Sequence, residues 1–153
     1  MTTTSKSERL AVLTPAEQDA LYGLPDFDDA QRSEYLSLTE QELALACGRT
    51  GLHYQAWCIL QIGYFKAKQT FFRFGWDEVS DDLKFILGRY FPGELFDPLQ
   101  VSTREHYTQR ALIAQLFGYR LWSSDFLDHL VQQAKQIARR DITPSFIVAE
   151  LVA

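Results

Sequence analysis

The sequence is poor in the residues that cross-link small domains or bind structural metals. Its two cysteines, Cys47 and Cys58, form no CxxC motif and have no pair of histidines nearby. A zinc site or a disulfide framework needs more such ligands at closer spacing. We therefore expect no metal in this chain, and we expect both thiols to be small core residues in a reducing cytoplasm.

Long apolar runs and targeting signals are missing as well. Residues 1–9 are polar and rich in Thr and Ser, without the apolar stretch of a secretory signal peptide. No segment is apolar over the ~20 residues that a membrane-spanning helix requires. The sequence predicts a cytoplasmic protein with no membrane partner.

The common signatures of enzymes are also absent. The chain contains no Gly-rich phosphate loop, no GxSxG and no HExxH. The paired carboxylates Asp28-Asp29 and Asp81-Asp82 stand at predicted helix starts, where capping explains them. We predict that this segment is not an enzyme, that it has no catalytic residues and that it binds no cofactor.

What the chain does contain is helical patterning and apolar mass. Hydrophobic residues make up 46% and aromatic residues 14% of 153 residues, enough to build a sizeable core. Thr14-Pro15-Ala16-Glu17 and Thr39-Glu40-Gln41-Glu42 are capping boxes, and strand-like alternation is nearly absent. Cap and stop signals predict helices at about 14–23, 26–36, 39–48, 52–66, 80–90, 102–118 and 123–140, with another from 143. The predicted fold class is all-α, a compact multi-helix domain.

Charge is distributed unevenly along the chain. The net charge is −5, yet residues 46–76 contain no acid at all. Basic residues do occur there, namely Arg49, Lys66, Lys68 and Arg73. An acid-free segment in an acidic chain suggests a surface for phosphate, although isolated Lys and Arg are commonly just solvated.

The helices that flank Gly48-Arg49-Thr50-Gly51 resemble a helix-turn-helix pair. Docked on DNA, the second helix would bring His53 and Gln55 nearest to the bases, with Arg49 on phosphate. The same helix is apolar nearly all round, which is equally typical of a buried central helix. The pattern leaves both interpretations open.

Further phosphate contacts are predicted at Lys66, Lys68 and Arg73, and at Arg104 on a later helix. His106, on that same helix, is expected to be a packed, hydrogen-bonded structural histidine. A second hypothesis is a helical protein-interaction module without DNA contact. Its surface would be aromatic, formed by Phe71, Phe72, Phe74 and Trp76.

A succession of motifs resembles the N-terminal region of the replicative, cointegrate-forming transposases of the Tn-three family. The resemblance runs in order through nearly the whole chain. It is carried by Leu13-Thr14-Pro15-Ala16-Glu17, Leu24-Pro25, Leu38-Thr39-Glu40-Gln41-Glu42-Leu43, Arg49, Ala56 through Gly63-Tyr64-Phe65, Arg104-Glu105-His106 and Leu116-Phe117-Gly118-Tyr119-Arg120.

The resemblance implies that the segment recognises the terminal inverted repeats of a transposon during DNA transposition. Its partners would be double-stranded DNA and the remaining domains of the parent transposase, at the bacterial nucleoid. The family's magnesium-dependent acidic triad lies far downstream, so magnesium is expected only for that absent catalytic part. This chain departs from the family at Ala44-Leu45-Ala46-Cys47-Gly48-Arg49, where relatives have more arginine.

Three parts of the chain are predicted. Residues 1–12 are expected to be a flexible N-terminus. Residues 13–142 are expected to form the helical DNA-end-binding domain, with a break near 92–102 if it consists of two subdomains. Residues 143–153 are expected to be the truncated start of a following helix, because apolar Phe146, Ile147 and Leu151 have no stop signal after them.

Overall fold

A computed structural model describes residues 12–120, 124–139, 148–149 and 151–152. Its helices are α1 (Pro15–Tyr22), α2 (Asp29–Tyr35), α3 (Glu40–Cys47), α4 (Leu52–Lys68), α5 (Ser80–Tyr90), α6 (Thr103–Leu116) and α7 (Ser124–Ala138). No strand occurs among the described residues. The all-α class predicted from the sequence is confirmed.

The chain divides into two compact units. One consists of residues 22–121 and contains α2 to α6; the other joins residues 1–21 to residues 122–153. The segment 92–102, where a break was predicted, lies inside the first unit as an extended connection between α5 and α6. Residues 1–11 of the predicted flexible N-terminus (1–12) and most of 143–153 lie outside the described residues.

Side-chain caps define several helix starts. The Asp28 carboxylate accepts from the backbone N–H of Gln31, and the Gln31 side chain accepts from the backbone N–H of Asp28. Thr39 and Glu42 form the same reciprocal pair at α3, as their spacing predicts. Helix α5 lacks such a cap: Ser80 is its first residue, and Val79 precedes it without a side-chain hydrogen bond.

Helix α4 is the centre of the first unit. It contacts α2, α3, α5 and α6. Every residue from Ala56 to Phe65 is buried, including Gln61, whose amide donates to the carbonyl of Phe72. Of the two interpretations of this helix, the structure supports the buried central helix over most of its length.

Gly63 permits the closest approach within this core. A Cβ placed on Gly63 would lie 2.3 Å from Cδ2 of Leu36 and 3.2 Å from the carbonyl oxygen of Tyr35. Tyr35 and Leu36 lie at the end of α2. Because Gly63 has no side chain, α2 can pack directly on α4. Glycine is needed here for space, because its backbone conformation is ordinary helix.

The aromatic segment 71–76 is largely interior. Phe72 and Phe74 are buried, whereas Phe71 and Trp76 are half-buried against the core. The ring of Phe74 stacks on Trp57 at 4.2 Å and meets Tyr64 edge-on at 5.7 Å. The proposed aromatic partner surface is therefore wrong for Phe72 and Phe74, because α4 already covers them.

The two cysteines differ in environment. Cys58 is buried in α4, and burial raises the pKa of its thiol to about 12. Cys47 is exposed at the end of α3, so the expectation that both thiols are core residues is wrong for Cys47. In the described part of the chain no helix has the length and apolarity to cross a bilayer.

Candidate nucleic-acid interface

The turn between α3 and α4 is closed by its own residues. Gly51 has φ +95°, a conformation that favours glycine, and it directly precedes α4. The side-chain amide of Gln55 donates to the carbonyl of Arg49 at 2.9 Å and to that of Cys47 at 3.2 Å. The predicted base-reading amide is thus engaged with the backbone of the turn.

Arg49, predicted to reach phosphate, binds a carboxylate of α6 instead. Its Nε donates to Oε1 of Glu105 at 2.7 Å and its Nη2 donates to Oε2 at 2.9 Å. The two side chains are only 23% and 11% exposed. These hydrogen bonds hold the pKa of Glu105 below its ordinary 4.5 and raise the pKa of Arg49.

The basic end of α4 is also engaged. Nζ of Lys66 lies 3.1 Å from Oε2 of Glu42, a buried carboxylate of α3, and 3.4 Å from the carbonyl oxygen of Ser37. Nζ of Lys68 donates to the carbonyl of Gly23 at 2.7 Å. Both ammonium groups therefore make contacts that join α4 to other parts of the first unit.

These contacts explain the acid-free segment 46–76 in structural terms. The segment contains the central helix, which has no room for unpaired carboxylates. Its cations at either end of α4 neutralise buried acids supplied by α3 and α6. The pattern that suggested a phosphate surface thus marks the core helix and its ion pairs.

His53 lies in the first turn of α4, half-buried, with its ring 4.2 Å from that of Tyr54. Lys66 follows thirteen positions later, which corresponds to roughly 20 Å along a helix. The structure brings His53 and Arg49 near the start of α6, where the Tyr54 hydroxyl meets the Ser102 hydroxyl at 3.3 Å. It does not place Lys66 and Lys68 with them.

Helix α6 carries cations that form no ion pair with the described acids. Arg104 and Tyr107 are exposed, and Arg110 follows three positions later. Cζ of Arg110 lies 5.3 Å from the centroid of the Tyr107 ring, and Cζ of Arg73 lies 5.9 Å from the same centroid. None of these three guanidinium groups forms an ion pair with a described acid. We call Arg73, Arg104, Tyr107 and Arg110 the arginine face.

The arginine face joins two predicted phosphate residues, Arg73 and Arg104, to two residues that the sequence reasoning did not select. Tyr107 and Arg110 lie outside the acid-free segment 46–76, so the charge pattern along the chain does not point to them. A signal was present: between Ser102 and Arg120 the only acid is Glu105, and that residue is buried. The exposed side of α6 therefore carries arginine without acid.

His106 packs beneath this face. It is 5% exposed, and its ring meets Trp57 edge-on at 5.9 Å. Burial, together with the nearby charges of Arg73 and Arg110, lowers the pKa of His106 to about 4. The expected packing is confirmed, but the expected hydrogen bonding is wrong for Nδ1, which has no partner among the described residues.

Within the described residues no group of His, Cys, Asp and Glu has the spacing of a metal site.

Similarity to known proteins identifies the family of the chain alone. Neither the curated proteins nor the solved structures contain a match to the chain. Residues 12–153 match the family described as a domain of unknown function, DUF4158. That match spans more than nine-tenths of the sequence, and the chain accordingly belongs to the DUF4158 family.

Proposed function

We propose that this chain is the N-terminal DNA-binding segment of a Tn-three-family transposase and that it recognises the terminal inverted repeats of the transposon. Two lines of support converge. The motif succession resembles that family, and the DUF4158 family is associated in general with the N-terminal regions of such transposases.

The arginine face is the observation that carries the proposal. Its three guanidinium groups are not neutralised by described acids, so a partner's phosphates can compensate them. Tyr107 is 55% exposed, and its ring centroid lies 5.9 Å from Cζ of Arg73 and 5.3 Å from Cζ of Arg110. Arg73 is exposed, whereas Arg110 is half-buried and its Nε is enclosed without a described partner. Phosphate recognition favours arginine because its planar fork donates in pairs.

We assign phosphate contacts to Arg73, Arg104 and Arg110, and we keep His53 as the candidate nearest to the bases. Arg49 and Lys66 serve mainly to hold the fold, because each already pairs with a buried carboxylate. Residues 56–65 of α4 are buried, so we place the major-groove contact on α6 or on the first turn of α4.

The remaining parts of the proposal concern the whole transposase. Strand cleavage and joining, with the magnesium they need, belong to its other domains, so this segment acts as a non-catalytic DNA-end reader. Its partners are the repeat DNA and those domains. The site of action is the bacterial nucleoid in the cytoplasm.

The test is fluorescence anisotropy of labelled duplexes over a series of salt concentrations. One duplex carries the terminal inverted repeat of the mobile element that encodes the chain, and the other has the same composition in scrambled order. We expect tighter binding to the repeat and a steep loss of affinity with salt, because phosphate contacts release counterions. The double variant Arg73→Ala/Arg104→Ala should lower the salt slope by about 2.

Arg89→Ala is the matched control. Arg89 is an exposed arginine that lies over the rings of Phe85 and Tyr90 on α5. Like Arg73 and Arg110 it contacts aromatic rings, but it does not belong to the arginine face. Its removal should leave affinity and slope unchanged. The control removes one charge and the double variant removes two, so a loss in the control about half as large as in the double variant would show that overall charge, and not the arginine face, determines binding.

A protein-interaction module is the second candidate, and the segment between α5 and α6 favours it. Leu95 is 96% exposed and Leu99 is 49% exposed in this segment, an unusual exposure for leucine. Absence of binding to either duplex at low salt would favour this candidate over the DNA reader.

A further inference from the structure

A cavity of about 340 Å³ opens beside the arginine face. Its inner wall is formed by Trp57, Phe74 and His106, all buried. Its rim includes Arg73 and Gln100, both exposed, and Trp76, which is half-buried. Aromatic walls beneath a rim with a cation are typical of a site for a planar ligand that carries negative charge nearby.

The rings of the cavity are held in fixed positions. Trp57 stacks on Phe74 at 4.2 Å and meets Trp76 edge-on at 5.6 Å. The indole N–H of Trp76 donates to the carbonyl of Leu99 at 3.0 Å, which fixes the ring at the rim. A flat ligand would therefore meet aromatic rings that are already positioned, at little cost in side-chain entropy.

Two of the wall residues have hydrogen-bonding capacity that the protein does not use. Nε1 of Trp57 and Nδ1 of His106 are buried and have no partner among the described residues. Such atoms are uncommon in folded proteins because each one costs free energy. Both atoms are closed off from solvent, so what the cavity offers a ligand directly is its aromatic walls and the Arg73 guanidinium at the rim.

We propose that this cavity takes an unpaired nucleobase of bound DNA, with the adjoining phosphate at Arg73. The inference rests on the proposed DNA binding and extends it from phosphate contact to capture of a base. A nucleobase is planar, stacks on aromatic rings, carries donors and acceptors at its edge and is joined to a phosphate. Arg73 belongs to both the arginine face and the cavity rim, so one cation connects the two sites.

The test compares three DNA ligands by anisotropy at one salt concentration. The first is the blunt duplex, the second carries one unpaired nucleotide, and the third has an abasic residue at that unpaired position. The position is moved along the duplex in single steps. At one position we expect the unpaired base to raise affinity about fivefold or more, and the abasic ligand to lose that gain.

A cavity-blocking variant supplies the structural control. Gln100→Trp places a large ring at the rim, whereas Gln100→Ala removes the side chain and leaves the cavity open. Gln100 is exposed, so both variants should fold, which circular dichroism checks. Gln100→Trp should abolish the gain from the unpaired base and keep blunt-duplex binding, while Gln100→Ala should keep both.

A second measurement locates the base directly. An unpaired 5-iodouracil at the favoured position should crosslink on irradiation to the peptide that contains Trp57 or the peptide that contains Trp76. Blunt-duplex binding without any gain from an unpaired base would overturn base capture and leave the DNA reader standing. Lack of binding to all three ligands would overturn both.

Discussion

Arg49 and Glu105 form a two-point ion pair that ties the α3–α4 turn to the first turn of α6, with N–O distances of 2.7 and 2.9 Å. The same carboxylate accepts from the Gln109 amide at 3.0 Å, and that amide also donates to the carbonyl of Tyr54. Glu105 thus connects α6 to Arg49, 56 positions away, directly and to Tyr54 through the Gln109 amide. Arg49, which the sequence pattern predicts to contact phosphate, instead connects the α3–α4 turn to α6.

Glu105→Gln should destabilise the fold by about 1–3 kcal/mol near pH 7, because the Arg49 guanidinium loses its charged partner while still half-buried. Urea unfolding measures the difference. The matched control is Glu94→Gln, at an exposed glutamate between α5 and α6, which should change stability by less than about 0.5 kcal/mol.

The contribution of Glu105 should also depend on pH in one direction. Its folded pKa lies below the ordinary 4.5, so the folded chain releases this proton more readily than the unfolded chain. The stabilisation is present above about pH 4.5 and is lost as pH falls through the folded pKa. The difference between wild type and Glu105→Gln should therefore shrink below pH 4.5; a constant difference would contradict the ion-pair explanation.

Gly63→Ala should destabilise the fold by about 1–3 kcal/mol, because the new methyl group would overlap Leu36 across the α2–α4 contact. Gly88→Ala on α5 is the control, since a Cβ there meets nothing within 4 Å. That variant should gain up to about 1 kcal/mol from helix propensity. Thermal unfolding compares them, and equal shifts in Tm would argue against a close approach at Gly63.

Local chemistry made the helices predictable. The capping boxes at Thr14 and Thr39 each involve only four consecutive residues, so they can be recognised from the local sequence. The C-cap at Gly48, whose backbone N–H donates to the carbonyl of Ala44, likewise acts over one turn. The predicted all-α class and most helix bounds follow from such short-range interactions.

The candidate site was less predictable because its determinants are long-range. Arg49 meets a glutamate 56 positions away, and Lys66 meets one 24 positions away. No pattern within one segment reveals such partners. The hydrophobic periodicity of α4 also left its role open. Whether a helix that is apolar on all sides is buried depends on which elements pack around it. The arginines of α6 stand out in the structure because Glu105, the one acid between Ser102 and Arg120, is buried.

His106 should make stability fall with decreasing pH in a range where most carboxylates stay charged. Its folded pKa of about 4 lies below the ordinary 6.5, so the unfolded chain binds the proton first. The stabilisation is complete above pH 6.5 and is lost as pH falls towards 4. Between pH 7.5 and 5 we expect a loss of about 2 kcal/mol.

Urea unfolding at half-unit pH steps measures this loss. His106→Gln should flatten the profile between pH 7.5 and 5, whatever its own stability, because the variant side chain does not titrate. His129→Gln, at an exposed histidine of α7, should keep the wild-type slope. An unchanged slope in His106→Gln would show that another group causes the pH dependence.

Arg104 and Lys66 should separate DNA binding from stability. Lys66→Met leaves the Glu42 carboxylate buried without its cation. The free energy of unfolding should therefore fall by about 1–3 kcal/mol. Arg104 has no described ion-pair partner and is exposed, so Arg104→Ala should change stability by less than about 0.5 kcal/mol.

In DNA binding the order of the two variants should reverse. Arg104→Ala should lower the salt slope by about 1, whereas Lys66→Met should leave the slope unchanged. Both quantities are measured on the same preparations, by urea unfolding and by anisotropy below the unfolding transition. A lower slope in Lys66→Met with no change in Arg104→Ala would move the phosphate contacts from the arginine face to the end of α4.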